Sequence, residues 1–303
     1  VSTEEAARVA FGAPRDTRGV QPTGAVAGYR PERTLRLSVE LRRQFKRRRT
    51  IGVFALMVAL PLVLIAALQL GGSEDAQQNS RINLVDVATS SGLNFTLFVL
   101  FATTGFFLVV VYALFFGDTV ASEAQWGSLR YTLATPVPRM RLLRQKWLAA
   151  FVSSVGALVA VTAVAVVAGG IAFGFGDIRT PVGITLDQGD GMLRLLGMVG
   201  YLAIHLLVVG TLAFWFSTIT DAPLAAVGGA VFTFFVFEIL EQVEQLGAIR
   251  DWFPTAGDFA WTDLLQTPVD DGDLFRGVLQ ALVYSAIFTA LAFRHFARRD
   301  VTS

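Results

Sequence analysis

Few side chains in this 303-residue sequence are equipped for covalent or metal chemistry. There is no cysteine, which removes disulfides, thiolate metal ligation and thiol nucleophiles. The two histidines, His205 and His295, stand far apart, so a histidine-based zinc site is not expected. Neither an HExxH metalloprotease motif nor a GxxxxGK[ST] phosphate loop occurs. No catalytic residue and no metal site is therefore expected, and the chain is not read as an enzyme. Three carboxylates, Glu238, Glu241 and Glu244, recur at helical spacing and could bind a cation; a solvated helix face is the simpler account. Asp270, Asp271 and Asp273 lack the glycine-led calcium pattern and read as loop. His205 falls inside an apolar run. An ionisable group there is a functional candidate by default, but a neutral, hydrogen-bonded histidine accounts for it.

The most patterned polar stretch is Gly117 to Lys146, which carries Arg130, Arg139, Arg141, Arg144 and Lys146 between two apolar runs. Asp118 is a candidate N-cap for a helix that Pro136 ends, because proline disfavours helix at Thr135 and offers no N–H. Pro138 sits where a new helix can start. At about 100° per residue, Val120, Ala124, Gly127 and Tyr131 share one face, and Trp126, Leu129 and Leu133 the opposite one. A helix apolar on both sides wants neighbours on both: its own bundle and a partner protein. The alternative is a helix lying half in the membrane interface. Glu123 and Arg130 lie on a third face, about 10.5 Å apart along the axis, too far to pair, which leaves each to meet a partner.

The elements around this stretch belong to a membrane protein. Apolar residues make up 53% of the chain and charged ones only 16%, with mean hydropathy +0.56, where a soluble domain carries about 25% charge. Six apolar segments, Ile51–Leu70, Leu93–Phe116, Trp147–Phe175, Met192–Phe216, Ala222–Leu240 and Leu274–Phe296, are each long enough to cross a hydrocarbon core. The third is long enough to tilt or project, Pro61 is expected to kink the first, and Gly170 with Gly174 to allow close helix contact. With the N-terminus inside, all Lys and Arg lie on the cytoplasmic side except Arg81, Arg179, Arg194, Arg250 and Arg276. That asymmetry satisfies the positive-inside rule with both termini cytoplasmic. Residues 1–33 have no apolar period or core, so they read as a flexible cytoplasmic tail and not as a signal peptide. Residues 34–50 mix strand-like and helix-like spacing and carry Arg42, Arg43, Lys46, Arg47, Arg48 and Arg49. They read as a basic amphipathic helix on anionic lipid headgroups or as a flank that only sets topology. Residues 51–299 form the transmembrane domain. Between the fifth and sixth segments, residues 241–273 are an external loop with two short helices, one over 238–253 and one over 258–266.

The 117–146 stretch resembles the cytoplasmic segment of ABC-2-type permeases, the membrane subunits of bacterial ATP-driven exporters. The residues that carry the likeness are Glu123, Gly127-Ser128-Leu129-Arg130, Leu133, Pro136-Val137-Pro138-Arg139, Leu142-Leu143 and Lys146. Ser128 replaces a usual threonine and keeps its hydroxyl; Pro138 replaces a usual serine and loses one. The family architecture is similar too: an amphipathic N-terminal segment, six spans, a short cytoplasmic turn near Ser217–Asp221 and external helices before the sixth span. The resemblance implies an all-α membrane protein in the bacterial cytoplasmic membrane. It implies that Val120–Leu133 is a coupling helix docking on a separate ATPase subunit, which binds the ATP and Mg; the chain itself needs no cofactor. Asp118, Glu123, Trp126, Gly127, Ser128, Leu129, Arg130, Thr135, Pro136, Arg139 and Lys146 would then serve that coupling. It further implies a second permease copy or homologue, with spans two and five lining the path. Asn94, Phe98, Thr103, Phe106, Phe232 and Phe235 are the candidate path residues for a hydrophobic or amphipathic compound such as a drug, antibiotic or lipid. Lipid-facing packing explains the phenylalanines as readily. Membrane lipids are expected neighbours and nucleic acid is not. The rival readings are an ATPase-linked sensor or scaffold, and an ion-coupled transporter, which would want mid-span carboxylates that none of the six segments has.

Overall fold

The computed structural model describes residues 36–70, 84–127, 138–180, 183–269 and 271–298. Residues 1–33, read above as a tail, lie outside them. Six helices are long and apolar enough to cross a membrane: Arg48–Leu70, Gly92–Gln125, Arg139–Phe173, Gln188–Ile219, Pro223–Glu241 and Asp271–Arg298. They coincide with the six apolar runs. Most overrun them into polar residues, because a helical ladder has no reason to stop where hydrocarbon does.

In chain order, α1 (Leu37–Phe45) precedes α2 (Arg48–Leu70), and a short α3 (Leu84–Ala88) precedes the second span. That span comprises α4 (Gly92–Thr103), a π-helical turn (Thr104–Leu108) and α5 (Val109–Gln125). The third is α6 (Arg139–Phe173). A two-stranded antiparallel hairpin follows, β1 (Ile178–Arg179) with β2 (Thr185–Leu186), in which Ile178 faces Leu186. The fourth span is α7 (Gln188–His205) and α8 (Leu207–Ile219), joined at Leu206; the fifth is α9 (Pro223–Glu241) and the sixth α10 (Asp271–Arg298).

The mixed spacing of residues 34–50 resolves as helix. In α1 Glu40 is buried and Leu37 and Leu41 are half-buried, while Val39 and Phe45 stay exposed, so this helix turns an acid together with its leucines toward the bundle. In α2 the helix continues through Pro61, which is itself buried.

α5 is the centre of the fold and packs on α6, α8 and α9. Its Tyr112, Phe116 and Val120 are fully enclosed. Close approach depends on glycine at two points. A Cβ on Gly117 would sit 2.8 Å from Val227 Cγ2 of α9, and one on Gly92 would sit 2.5 Å from the Gly170 nitrogen of α6. The close contact expected of Gly170 with Gly174 is therefore made by Gly169 and Gly170 against Gly92, while Gly174, at φ 82°, ends α6.

Between spans five and six, 3-10 segments run over Glu244–Trp252, interrupted at Gly247 (φ 53°), and Ala260–Leu265; the first begins later than the expected residue 238, because Glu238–Glu241 continue the fifth span. The fully buried Trp261 pins the second one, its ring 4.7 Å from that of Phe101. Asp271 and Asp273 are not loop residues: they occupy the first turn of α10, where carboxylates complement the helix dipole.

Candidate functional site

The polar stretch between α5 and α6 has a local structure that its sequence only partly announces. Gly117 and Asp118 do not open a helix. They lie inside α5, which runs unbroken from Val109 to Gln125 because the apolar ladder of the span carries straight into the polar stretch. Asp118 is consequently not an N-cap; its carboxylate accepts from Arg47 at 2.9 Å and Arg49 at 2.5 Å. The helix stops earlier than expected. Trp126 is its C-cap and Gly127 takes φ 62°, a left-handed conformation that ends helices. Ser128, Leu129, Arg130, Leu133, Thr135 and Pro136 lie outside the described residues. Pro138 does precede a new helix, as N-cap of α6, and Arg139 is its first residue, exposed at the start of the turn.

Glu123 is not left to meet a partner protein. It is 4% exposed and accepts from Lys146 Nζ at 2.6 Å; Lys146 is 2% exposed and also donates to the Thr119 carbonyl at 3.1 Å. The buried Glu40 of α1 reaches the same ammonium at 3.6 Å. Arg43 bridges the two acids, 3.3 Å from Glu40 and 3.8 Å from Glu123. Two carboxylates and two cations from α1, α5 and α6 thus form one network. Its physical sense is compensation: a buried charge persists only when paired and hydrogen-bonded.

A second device grips α5 from the opposite side. The backbone N–H groups of Val120 and Ala121 both donate to Ser217 Oγ of α8, at 3.0 and 2.9 Å. Nearby, Thr119 Oγ1 donates to the Phe116 carbonyl and Ser122 Oγ to that of Asp118. A side-chain oxygen inserted against the helical ladder marks a place where a helix bends. No local sequence signal points to Ser217, since the contact spans 97 residues.

The exposed feature of this end is Trp126, 79% accessible, at the tip of the gripped helix. It borders a groove of ≈ 380 Å³ lined also by Arg43, Arg47, Arg48, Arg49 and Asp118. The expected division of faces is not seen within the helix, where Thr119 to Glu123 are all buried; Trp126, just past its end, is exposed.

The candidate path residues divide. Asn94 and Thr103 are structural. The Asn94 amide donates to Val87 O, Ser90 Oγ and Arg179 O while its oxygen accepts from Arg179 N, tying α4 to the hairpin. Thr103 is fully buried and donates to Val99 O at 2.8 Å. Of the phenylalanines, Phe106 of the π-helical turn stacks on Phe235 of α9 with ring centroids 5.9 Å apart, and Phe232 is exposed on the same helix. Phe98 lines an apolar pocket of ≈ 380 Å³ with Leu97, Phe101 and Leu265.

At the far end of the bundle the acidic stripe breaks. Glu238 and Glu241 are half-buried near the end of α9, while Glu244 belongs to the next segment and is exposed. The solvated-face account therefore holds for Glu244 alone. His205 is 1% exposed, stacks on Tyr201 and faces Asp258 Oδ1 at 3.3 Å, but neither ring nitrogen makes a hydrogen bond to the described residues. The satisfied histidine expected from sequence is not what is found.

Comparison with known proteins bears on the whole arrangement. Residues 37–249 match the model of a family described as ABC-2 family transporter protein. The chain is also similar to YhcI, an uncharacterized protein of Bacillus subtilis (strain 168), with 28% identity over 213 residues. That match covers 66% of this chain and 65% of the relative, somewhat under two thirds of the relative's length.

Proposed function

Because the chain belongs to the ABC-2 family of transporter proteins and carries six helices able to span a membrane, we propose that it is the permease subunit of an ATP-driven exporter. It moves a hydrophobic or amphipathic compound across the bacterial cytoplasmic membrane, powered by a separate ATPase subunit that binds ATP and Mg. Members of this family generally partner with such subunits. Both termini and the basic end of the bundle face the cytoplasm, where Lys and Arg are concentrated. A second permease copy or homologue covers the exposed aromatic face of Phe106, Phe232 and Phe235.

The observation that carries this reading is the rooted tip of α5. A large exposed aromatic, Trp126, stands on a helix end locked to α1 and α6 by Lys146 and to α8 by Ser217. An aromatic anchor on a rigid support suits a docking hot spot. The rigid support would pass a push at the tip into the spans, which can then exchange between packed arrangements.

The test is affinity purification of the full chain from detergent-solubilised bacterial membranes, with ATP hydrolysis measured on what co-purifies. A nucleotide-binding subunit that hydrolyses ATP is expected with the wild type. Trp126→Ala is expected to reduce its recovery at least tenfold, with the permease still monodisperse. Recovery of a signalling protein without ATPase activity would favour the sensor reading instead.

A further inference from the structure

The acidic end of the bundle holds a site that coupling to an ATPase does not use. Three carboxylates converge there from two elements: Glu238 and Glu241 near the end of α9, and Asp258 in the loop between the two 3-10 segments. They line a cleft of ≈ 450 Å³ together with Gly105, Ile239, Gln242, Gly257 and Phe259. Asp258 is 7% exposed, and neither of its oxygens has a hydrogen-bond partner among the described residues. Glu238 is close enough for the two carboxyls to feel each other electrostatically. When both are ionised, two carboxylates offer each other acceptors only, so their approach is relieved either by a shared proton or by a positive charge from elsewhere. Arg250 comes near but directs its donors to the Gly247 and Glu241 carbonyls. His205 faces Asp258 from behind, away from the cleft lining.

The walls indicate what kind of charge fits. No group of three or more metal-ligating side chains among the described residues is arranged to hold a metal ion. Besides the carboxylates, the lining is Gln242, two glycines, Ile239 and the aromatic Phe259. Phe259 is half exposed and stacks on Phe101 at 6.2 Å, and Phe106, next to Gly105, stacks on Phe235, three residues before Glu238. Carboxylates beside exposed ring faces attract an organic cation through charge and through the ring quadrupole together, and the volume falls within the range of small-molecule sites.

We propose that this cleft binds an amphipathic organic cation, its positive centre held by Glu238 and Glu241 and its apolar body resting on Phe259. As a binding site it stands on the geometry alone; as the class of compound transported it rests on the permease reading.

Tetraphenylphosphonium is a suitable probe, with triphenylphosphine oxide as its neutral counterpart. Binding of both is measured on the full chain in nanodiscs, without ATP or an ATPase, so loss of the permease reading and loss of this one remain distinguishable. The wild type should bind the cation at least tenfold more tightly than the neutral compound. Glu238→Gln with Glu241→Gln should weaken the cation at least tenfold and leave the neutral compound unchanged, whereas Glu244→Gln, on the exposed neighbour, should change neither. Phe259→Ala should weaken the cation severalfold. Equal binding of cation and neutral compound, or a cation affinity indifferent to the double substitution, would overturn the proposal and leave a shared proton as the occupant. Displacement of the probe by millimolar calcium but not by a fourfold excess of a second lipophilic cation would overturn it in favour of a metal ion.

Discussion

The two ends of this helical bundle both bury ionisable side chains, but they balance them differently. At the basic end Glu123 and Glu40 meet Lys146 and Arg43, with contacts from 2.6 to 3.8 Å. At the acidic end Asp258 meets Glu238 and an imidazole, and its oxygens, like both His205 nitrogens, lack hydrogen-bond partners among the described residues. Desolvating a charge costs several kcal/mol in either place, roughly. At the basic end the cost is offset within the fold, so the network fixes the relative placement of α1, α5 and α6. At the acidic end it is not, and the deficit is one that a bound positive charge would relieve. A charge-paired network suits a part that transmits force without changing; an open one suits a part that changes partners.

The largest effect is expected where buried acids face buried cations. Lys146→Met removes the ammonium and strands two buried carboxylates, so it should cost about 3–5 kcal/mol. The readout is the apparent Tm of the detergent-purified chain, or its loss of monodispersity. A variant as stable as the wild type would erase the contrast between the ends. The double variant Lys146→Met with Glu123→Gln should recover part of the loss, with a coupling of about 1–3 kcal/mol between the two positions.

Ser217→Ala comes next. It removes an acceptor shared by two backbone N–H groups that have helical ladder partners as well, so about 1 kcal/mol of stability should go. The more informative readout is coupling: ATP hydrolysis by the assembled complex should lose its response to transported compound before the permease loses its fold. If stability falls and coupling does not, Ser217 is packing only.

Asp258→Asn should behave in the opposite sense from Lys146→Met. It deletes a buried carboxylate whose facing base is the His205 imidazole, 3.3 Å away, and supplies an amide donor toward Glu238. Stability is expected to stay level or rise, by up to about 1 kcal/mol. A loss of about 3 kcal/mol would mean that the acidic end is balanced after all and that the two ends do not differ in kind.

The sequence disclosed the spans well and the networks poorly, for a physical reason. Span position follows from hydrophobic length, a local property, so Ile51–Leu70 and its five counterparts lie within the observed helices save for two terminal residues of the third and one of the fifth. The end of α5 is hard to see in the sequence because Gly127 sets it through backbone conformation, which a glycine within a helix-like pattern does not advertise. The pairing of Glu123 is equally hidden, because Lys146 is 23 residues away on another helix. One signal was available: Lys146 directly precedes the third apolar run, and a lysine at that depth needs an acid. Glu40 and Glu123 were among the few acids on that side. For His205 and Asp258, 53 positions apart and joined only by the fold of the external loop, nothing in the spacing points to the contact.

The smallest effect sharpens the comparison from within the basic end. Asp118 pairs with Arg47 and Arg49 at distances as short as those of the buried network, 2.9 and 2.5 Å. Distance alone would rank these bridges with Lys146–Glu123. Exposure says otherwise, because the Arg49 side chain is 56% accessible and water screens most of the attraction. Asp118→Asn should therefore cost only about 0.5 kcal/mol, and that loss should shrink between low salt and about 1 M salt, where the screening length falls to about 3 Å. The cost of Lys146→Met should be nearly indifferent to salt, since its charges lie out of reach of mobile ions. Unfolding of both variants across a salt series separates the two cases. A cost for Asp118→Asn that is large and independent of salt would show that the clamp reaches the surface, and the boundary between gripped helix and free tip would have to move outward from Glu123 to the rim of the arginine groove.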